Sequence, residues 1–162
     1  MSGENIATWG VDWLWSLPLI ALTVVIHVFG LGLIKRLRER LMPHIRRLRA
    51  SSPLARMSLG LTTLSITVLH GLEGSLWAVA FRALGALPDM RTAVLYSLNA
   101  MTSYGHVNLE LAHRWQLMGA MEALNGWILF GMSTAFLFTL IQEVWSFNPD
   151  RLVGSLDPGR VL

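Results

Sequence analysis

Apolar residues dominate three long stretches of the chain and one short one, and polar residues collect between them. The long stretches are residues 13–34, 57–84 and 115–142. The first has 22 residues and would extend roughly 33 Å as a helix, enough to cross the roughly 30 Å hydrocarbon core of a bilayer. The other two are longer, so we expect them to tilt or to project beyond the bilayer. The pattern predicts an all-α integral membrane protein with three transmembrane helices.

The short apolar stretch, residues 90–101, lies between the second and third long ones. It follows a turn signal at residues 85–89, where Gly and Pro precede Asp89, a suitable N-cap for a helix. About ten apolar residues are too few to cross a bilayer but suit a segment that enters the membrane and returns. Residues 102–111 are mostly small or polar. Since irregular backbone at membrane depth survives only where it is buried in protein or lines water, we expect a re-entrant helix followed by a wet loop.

Charge is scarce in this chain and unevenly placed. Only 14% of the residues are charged, against about a quarter in globular chains, which argues against an ordinary soluble domain. Eight of the 13 basic residues fall between Lys35 and Arg56, with Glu39 as the only acid among them. A basic segment between two apolar stretches predicts a short cytoplasmic loop at residues 35–56, and nucleic-acid binding is the weaker interpretation. The loop is expected to meet anionic lipid headgroups, or to act as a topology signal alone.

This topology places the N-terminus outside and the C-terminus in the cytoplasm, in the cell (inner) membrane. Residues 1–12 are the expected outer tail and residues 146–162 the expected cytoplasmic tail. The N-terminal segment has neither the positive start nor the cleavage site of a signal peptide. The chain has no cysteine, so disulfides, thiolate metal sites and cysteine nucleophiles are excluded.

Several polar side chains lie too deep in the long stretches to be free in lipid. They are His27, His70, Glu73, Glu122 and Asn125. Such residues are costly in a membrane, so each is a functional candidate. His70 and Glu73 are three residues apart and share one helix face. Glu73 either braces the re-entrant segment or pairs with His70, or it belongs to an ion or proton relay. His27 either bonds a neighbouring helix or takes part in proton handling.

These groups do not form a recognisable catalytic set. Ser-His-Asp and phosphate-loop patterns are absent from the sequence, and the intramembrane carboxylates have no nucleophile at a telling spacing. With Glu122, the histidines and Glu73 have the chemistry of a His/carboxylate metal site, but nothing in their spacing requires one. We therefore expect neither an enzyme nor a bound metal or other cofactor.

The order of elements and several short sequences resemble a known membrane module. A helix, a re-entrant helix, a Tyr-Gly loop and a second helix follow one another, as in the two-helix pore module of the potassium-channel superfamily, and in particular in small bacterial proteins of the two-pore-domain-like ion channel family. The matching stretches are residues 69–73, 77–78, 84–89, 93–98, 115–118, 122–126 and 129–135. The resemblance covers residues 57–145. It implies a homotetramer around one pore, with an outer helix at 57–84, a pore helix at 90–101 and an inner helix at 115–142.

Residues 101–106 stand where that family has its selectivity filter, whose backbone carbonyls replace the hydration shell of the ion. The usual signature is Thr-Val-Gly-Tyr-Gly-Asp; here the residues are Met101, Thr102, Ser103, Tyr104, Gly105 and His106. Ser103 replaces a glycine with a left-handed backbone, where a side chain costs on the order of 1–2 kcal/mol. Met101 replaces the innermost threonine, unless the register slips and Thr102 takes that place. His106 replaces an outer aspartate.

These departures favour a cation channel with weak or non-potassium selectivity. The expected permeant ion is a monovalent cation, potassium being one candidate. His106 and His113 at the pore mouth would make conductance depend on external pH between about 5 and 7.5, where histidine changes charge. Gly126 and Gly131 are hinge candidates that would let the inner helix bend, or they would let it pack closely; both interpretations stay open.

Two other functions remain open. A channel-derived protein that does not conduct but acts through a partner or lipid is favoured by the altered filter. A proton or metal transporter would use His27, His70, Glu73 and Glu122, although transporters often carry internal repeats and none is visible in this sequence.

Overall fold

Helices make up nearly all of the chain that the structure describes. The structure, a computed structural model, describes residues 3–41, 53–102 and 109–144. Its helices are α1 (Gly3–Leu41), α2 (Pro53–Ala83), α3 (Met90–Thr102) and α4 (Gln116–Val144), with a 3₁₀ turn at His113–Trp115 before α4. Three segments are long and apolar enough to cross a membrane: Gly10–Leu41, Pro53–Ala83 and His113–Glu143. The prediction of an all-helical, membrane-embedded protein with three membrane-length helices is confirmed.

Helix α1 is longer than the sequence pattern indicated. It starts at Gly3 rather than at residue 13 and continues to Leu41, so it takes in most of the expected outer tail and the start of the expected basic loop. Polar side chains near both ends of α1 are buried against other helices: Asp12 is 2% exposed and Arg38 is 7% exposed. Helix α2 begins at Pro53, a residue suited to a first turn because its missing N–H would have no intrahelical partner there.

A glycine turn ends α2. Gly85 has a φ of +65°, in the left-handed region that a glycine adopts without strain. The backbone N–H of Ala86 donates to the carbonyl of Phe81 at 2.9 Å, and that of Gly85 donates to the carbonyl of Arg82 at 3.2 Å. This pair of hydrogen bonds is the Schellman motif, which satisfies the last carbonyls of a helix and reverses the chain.

Asp89 caps the first turn of α3, as the sequence predicts. Its Oδ1 accepts a hydrogen bond from the backbone N–H of Thr92 at 2.9 Å, and its Oδ2 accepts one from the Thr92 hydroxyl at 2.7 Å. These hydrogen bonds, the backbone one first, hold the pKa of Asp89 below its usual range. The cap and the glycine turn together send α3 back alongside α2.

The bundle has two ends, which we name by their residues. The loop end contains residues 83–90 and 109–116, and the basic end contains residues 35–41 and 53–58. At the loop end α2, α3 and α4 share an apolar cluster. Nearer the basic end α1, α2 and α4 share a second one. His27, His70, Glu73 and Ser133 lie between these two apolar clusters.

Helix α3 ends inside the bundle, about a third of the way along α2 and α4 from the loop end. Near its C-terminus, the Met101 sulfur lies beside Gly74 of α2, and the Met101 backbone lies against Gly126 of α4. Gly74 is nine residues before the end of α2 and Gly126 is ten residues after the start of α4. At 1.5 Å per residue both therefore lie roughly 14–15 Å from the loop end, about half of the ~30 Å hydrocarbon thickness. Met101 thus lies about half a bilayer thickness from the loop end.

Large apolar side chains cover the outside of the bundle. Leu14 is 69% exposed, Phe29 is 75% exposed and Trp127 is 65% exposed. An apolar outer surface of this kind suits contact with lipid chains or with further copies of a membrane protein.

Candidate functional site

A buried group of four polar side chains lies between α1, α2 and α4, and we call it the His–Glu–Ser cluster. Its members are His27 of α1, His70 and Glu73 of α2, and Ser133 of α4. The side chains of His27 and Glu73 are fully buried, while that of His70 is 25% exposed. His27, His70 and Glu73 are candidates from the sequence, and the structure brings them together.

In this cluster each histidine faces Glu73 with Nδ1 and Ser133 with Nε2. Nδ1 of His27 lies 2.9 Å from Oε1 of Glu73. Nε2 of His27 and Nε2 of His70 lie 3.1 Å and 3.0 Å from Oγ of Ser133. A longer contact of 3.4 Å, between Nδ1 of His70 and Oε2 of Glu73, closes the ring. Oε2 has no hydrogen-bond partner among the described residues, so this last contact is electrostatic rather than a hydrogen bond of ordinary geometry.

A second buried contact joins α1 to α4 one turn closer to the loop end. Nδ2 of Asn125 donates to Oγ1 of Thr23 at 2.8 Å. Thr23 and His27 are four residues apart and lie on the same face of α1. Asn125, also a candidate from the sequence, therefore belongs to the same polar layer as the His–Glu–Ser cluster.

Glu122 faces α3 and does not belong to the His–Glu–Ser cluster. Its side chain is fully buried and faces α3, with a loose hydrogen-bond contact to the Ser97 hydroxyl and an electrostatic interaction with Tyr96. Neither carboxyl oxygen of Glu122 makes a hydrogen bond of ordinary geometry to the described residues, and the Ser97 hydroxyl also makes none. The group of ligand-type atoms that the structure assembles contains His27, His70 and Glu73 without Glu122.

Two further buried charges, which the sequence prediction missed, fasten α1 to the other helices. Towards the loop end, the Asp12 carboxylate accepts a hydrogen bond from the backbone N–H of Met118. This N–H is in the first turn of α4, where the helix dipole favours a negative charge. At the basic end, Nε of Arg38 donates to Oγ of Ser58 at 3.0 Å, and Nη1 donates to Oε2 of Glu143 at 3.1 Å.

The buried polar residues of α1 share one face, and this spacing is visible in the sequence. They are Asp12, Ser16, Thr23, His27 and Arg38. Their separations of four, seven, four and eleven residues each return to the same side of a helix. This polar stripe lies on the side of α1 that packs against α2 and α4.

The structure describes the start of the predicted filter segment. Met101 and Thr102 are the last residues of α3. Met101 is half-buried, whereas Thr102 is exposed and its hydroxyl donates to the carbonyl of Leu98 at 2.7 Å. His113 is exposed in the 3₁₀ turn at the loop end. Four of the predicted filter and mouth residues lie outside the described ranges: Ser103, Tyr104, Gly105 and His106.

The two hinge candidates of α4 have different surroundings. A Cβ atom at Gly126 would lie 2.7 Å from both Cα and the carbonyl oxygen of Met101, whereas a Cβ atom at Gly131 would meet nothing within 4 Å. Helix α4 is continuous through both positions. Gly126 therefore permits the close packing of α4 on α3, which is one of the two interpretations that its sequence allowed.

The chain was also compared with protein-family models, with curated proteins and with solved structures. None of the three comparisons gives a match. What the chain does is therefore argued from its own residues and their geometry.

Proposed function

We propose that the chain forms a cation-conducting pore as a homotetramer, in the manner of the potassium-channel superfamily, with weak or non-potassium selectivity. The observation that carries the proposal is the depth at which α3 ends. Met101, which precedes Thr102, packs against Gly74 and Gly126 about half a bilayer thickness from the loop end. Leu109 packs on the apolar cluster at the loop end. In this proposal residues 103–108 join these two depths, and backbone at membrane depth outside a spanning helix needs protein or water around it. A water-lined axis shared by four copies would supply that surrounding.

In this proposal the ion path runs past residues 102–105. The end of α3 carries the partial negative charge of a helix C-terminus, which favours a cation near Thr102. Thr102 is exposed on the single chain, so its side chain is available to line a path between subunits. The Met101 carbonyl oxygen, in contrast, lies against Gly126 of α4. This contrast favours the register in which Thr102 is the innermost residue of the path, with His106 and His113 at its mouth.

The proposal is tested by cation flux into liposomes that contain the purified protein. We expect monovalent cations to pass with little discrimination, and potassium selectivity to rise when Ser103→Gly and His106→Asp restore the two most altered filter positions. A folded, tetrameric protein that passes no cation between about pH 5 and 7.5, before or after these substitutions, would refute the proposal. A protein that conducts only after them is a channel-derived, non-conducting membrane protein, the second function that its altered filter favours.

One observation favours a third function, transport of a proton or metal ion through the membrane. His27, His70 and Glu73 come from two separate helices and meet in a buried cluster, as a relay or carrier site would require. The test is Glu73→Gln, which changes a carboxylate to an amide of nearly the same shape. Under the channel proposal this variant keeps cation flux, because Glu73 bonds His27 of α1 and is not part of the proposed ion path. Loss of flux driven by a pH or metal gradient, with the fold intact, would support transport instead.

The orientation and partners belong to the same proposal. The basic end would face the cytoplasm, in accordance with the positive-inside rule. There Lys35, Arg36 and Arg40 are exposed and would meet anionic lipid headgroups. Arg38 is buried and bonded to α2 and α4, so it holds the bundle together instead of binding lipid.

A further inference from the structure

We propose that His27, His70 and Glu73 bind a divalent transition-metal ion of the Zn²⁺ class, and that Ser133 holds both imidazoles in the tautomer that metal binding needs. The ion would join α1 to α2 within the polar layer of the bundle. This inference does not rest on the channel proposal, and its test requires no measurement of ion flux.

The His–Glu–Ser cluster holds too few protons for its contacts. The ring has four contacts, and a hydrogen bond at each would need one hydrogen between the two heavy atoms. An ionised Glu73 supplies none, each neutral imidazole supplies one and the Ser133 hydroxyl supplies one, which makes three hydrogens for four contacts. The structure shows which contact lacks a hydrogen. The His70–Glu73 contact is the longest side of the ring at 3.4 Å, and Oε2 of Glu73 has no hydrogen-bond partner among the described residues.

A metal ion bound between the two Nδ1 atoms and the carboxylate removes this shortage. Each imidazole then gives its Nδ1 lone pair to the metal and carries its proton on Nε2. Both Nε2–H groups face Oγ of Ser133, at 3.1 Å for His27 and 3.0 Å for His70. A hydroxyl oxygen has two lone pairs and can accept both hydrogen bonds. Such an acceptor for the second ring nitrogen is the usual support of a metal-binding histidine.

The distances in the cluster suit a small divalent ion. The ligand atoms of His27, His70 and Glu73 all lie within 4.8 Å of one another. Ligands about 2.0–2.1 Å from a tetrahedral Zn²⁺ lie about 3.3 Å apart, and the two nitrogen–oxygen separations observed here are 2.9 Å and 3.4 Å. These two separations involve different oxygens of Glu73, so the side chains must rotate to bring both Nδ1 atoms and a carboxylate oxygen to this spacing. His70 is the ligand with exposed surface, so an ion would enter on its side.

The donor set also indicates which class of ion binds. Imidazole nitrogens favour zinc, copper, nickel and iron, whereas potassium-like and alkaline-earth ions are held by oxygen ligands. Two histidines and one glutamate are a known zinc ligand set that leaves a fourth position for water. The site would thus be chemically distinct from the proposed pathway of monovalent cations at Thr102.

The test is metal titration of the full chain in detergent micelles, after removal of any polyhistidine tag and of bound metal by a chelator. Co²⁺ serves as the optical probe, because its visible absorption reports a four-coordinate site. We expect one Co²⁺ per chain, displaced by Zn²⁺, and a higher unfolding temperature with Zn²⁺ than with the same concentration of Mg²⁺. These measurements on the unaltered protein need no variant. If the folded protein shows no saturable binding, the proposal is overturned. A proton, rather than a metal ion, would then supply the hydrogen that the ring lacks.

Variants then show which residues hold the ion. Glu73→Gln and His27→Asn should weaken binding at least 100-fold. Ser133→Ala should weaken it roughly 10–100-fold while one ion per chain still binds, because it removes the second partner of both rings but no ligand. Ser133→Thr, which keeps a hydroxyl, should restore most of the affinity. His113→Asn alters a histidine outside the cluster and should have no effect. Equal affinity in Glu73→Gln and in the unaltered protein would contradict the assignment.

Discussion

Replacing Gly126 by alanine tests the depth of α3 most sharply, because the chain contains its own control. A Cβ atom at position 126 would lie 2.7 Å from Cα and from the carbonyl oxygen of Met101, while ordinary contacts are 3.4–4 Å, so the backbones must separate by at least 0.7 Å. These atoms belong to the backbone of α3, and no side-chain rotation relieves the overlap. Overpacking of this kind costs about 1–3 kcal/mol.

Gly131→Ala is the control, in the same helix, because a Cβ atom at position 131 meets nothing within 4 Å. Both substitutions gain up to about 1 kcal/mol from the better helix propensity of alanine. The difference between the two variants therefore isolates the contact with α3. We expect Gly126→Ala to be about 1–3 kcal/mol less stable than Gly131→Ala.

The assay is unfolding in mixed detergent micelles, followed by the fluorescence of the seven tryptophans. Met101→Ala should not rescue Gly126→Ala, since the clash involves the Met101 backbone and not its side chain. Equal stabilities of the two alanine variants, or full rescue by Met101→Ala, would refute the close packing of α3 on α4. Either result would also refute the distance from the loop end at which α3 ends.

Other predictions concern a helix cap and a buried charge. The pKa of Asp89 is lowered in the folded protein. The carboxylate therefore stabilises the fold fully above about pH 3.9, its unfolded-state pKa, and this stabilisation is lost as the pH falls through the lower folded-state pKa. Asp89→Ala should be less stable than the unaltered protein at pH 7, and the difference between their unfolding midpoints should shrink below about pH 4. Arg38→Gln should cost about 1.5–3 kcal/mol in the same unfolding assay, because charged hydrogen bonds to two helices are lost, and a cost as small as that of the exposed control Arg40→Gln would contradict this.

Hydropathy and turn chemistry predict most of this fold, because a bilayer leaves a long apolar segment few alternatives to a helix. Gly85 and Asp89 mark the turn between α2 and α3 by local rules, and both act in the structure as those rules require. The start of α1 was not predictable in this way. By hydropathy Asp12 resembles part of a polar tail. Its spacing from Ser16 and its contact with Met118 of α4 show that it belongs to a buried helix face.

The candidate site is predictable only in part, because hydroxyl groups in membrane helices have a local alternative. Thr62, Thr63, Ser65, Thr67 and Ser75 all donate to the carbonyl four residues earlier in their own helix. Thr134 does the same, whereas its neighbour Ser133 bonds the two histidines. Which of two adjacent hydroxyls meets another helix depends on how α4 is turned towards α1 and α2, and no local pattern reports that rotation. Likewise, no local pattern tells which of Gly126 and Gly131 faces α3.

The most direct test of the proposed pore uses the absence of cysteine from the chain. Thr102→Cys provides a single thiol at the end of α3, and Val25→Cys provides a matched thiol on an exposed position of α1. In liposomes that contain the tetrameric protein, a positively charged, membrane-impermeant thiol reagent should stop cation flux through Thr102→Cys and leave flux through Val25→Cys unchanged. Undiminished flux after complete labelling of Thr102→Cys, or no flux at all in the folded protein, would contradict the proposed ion path.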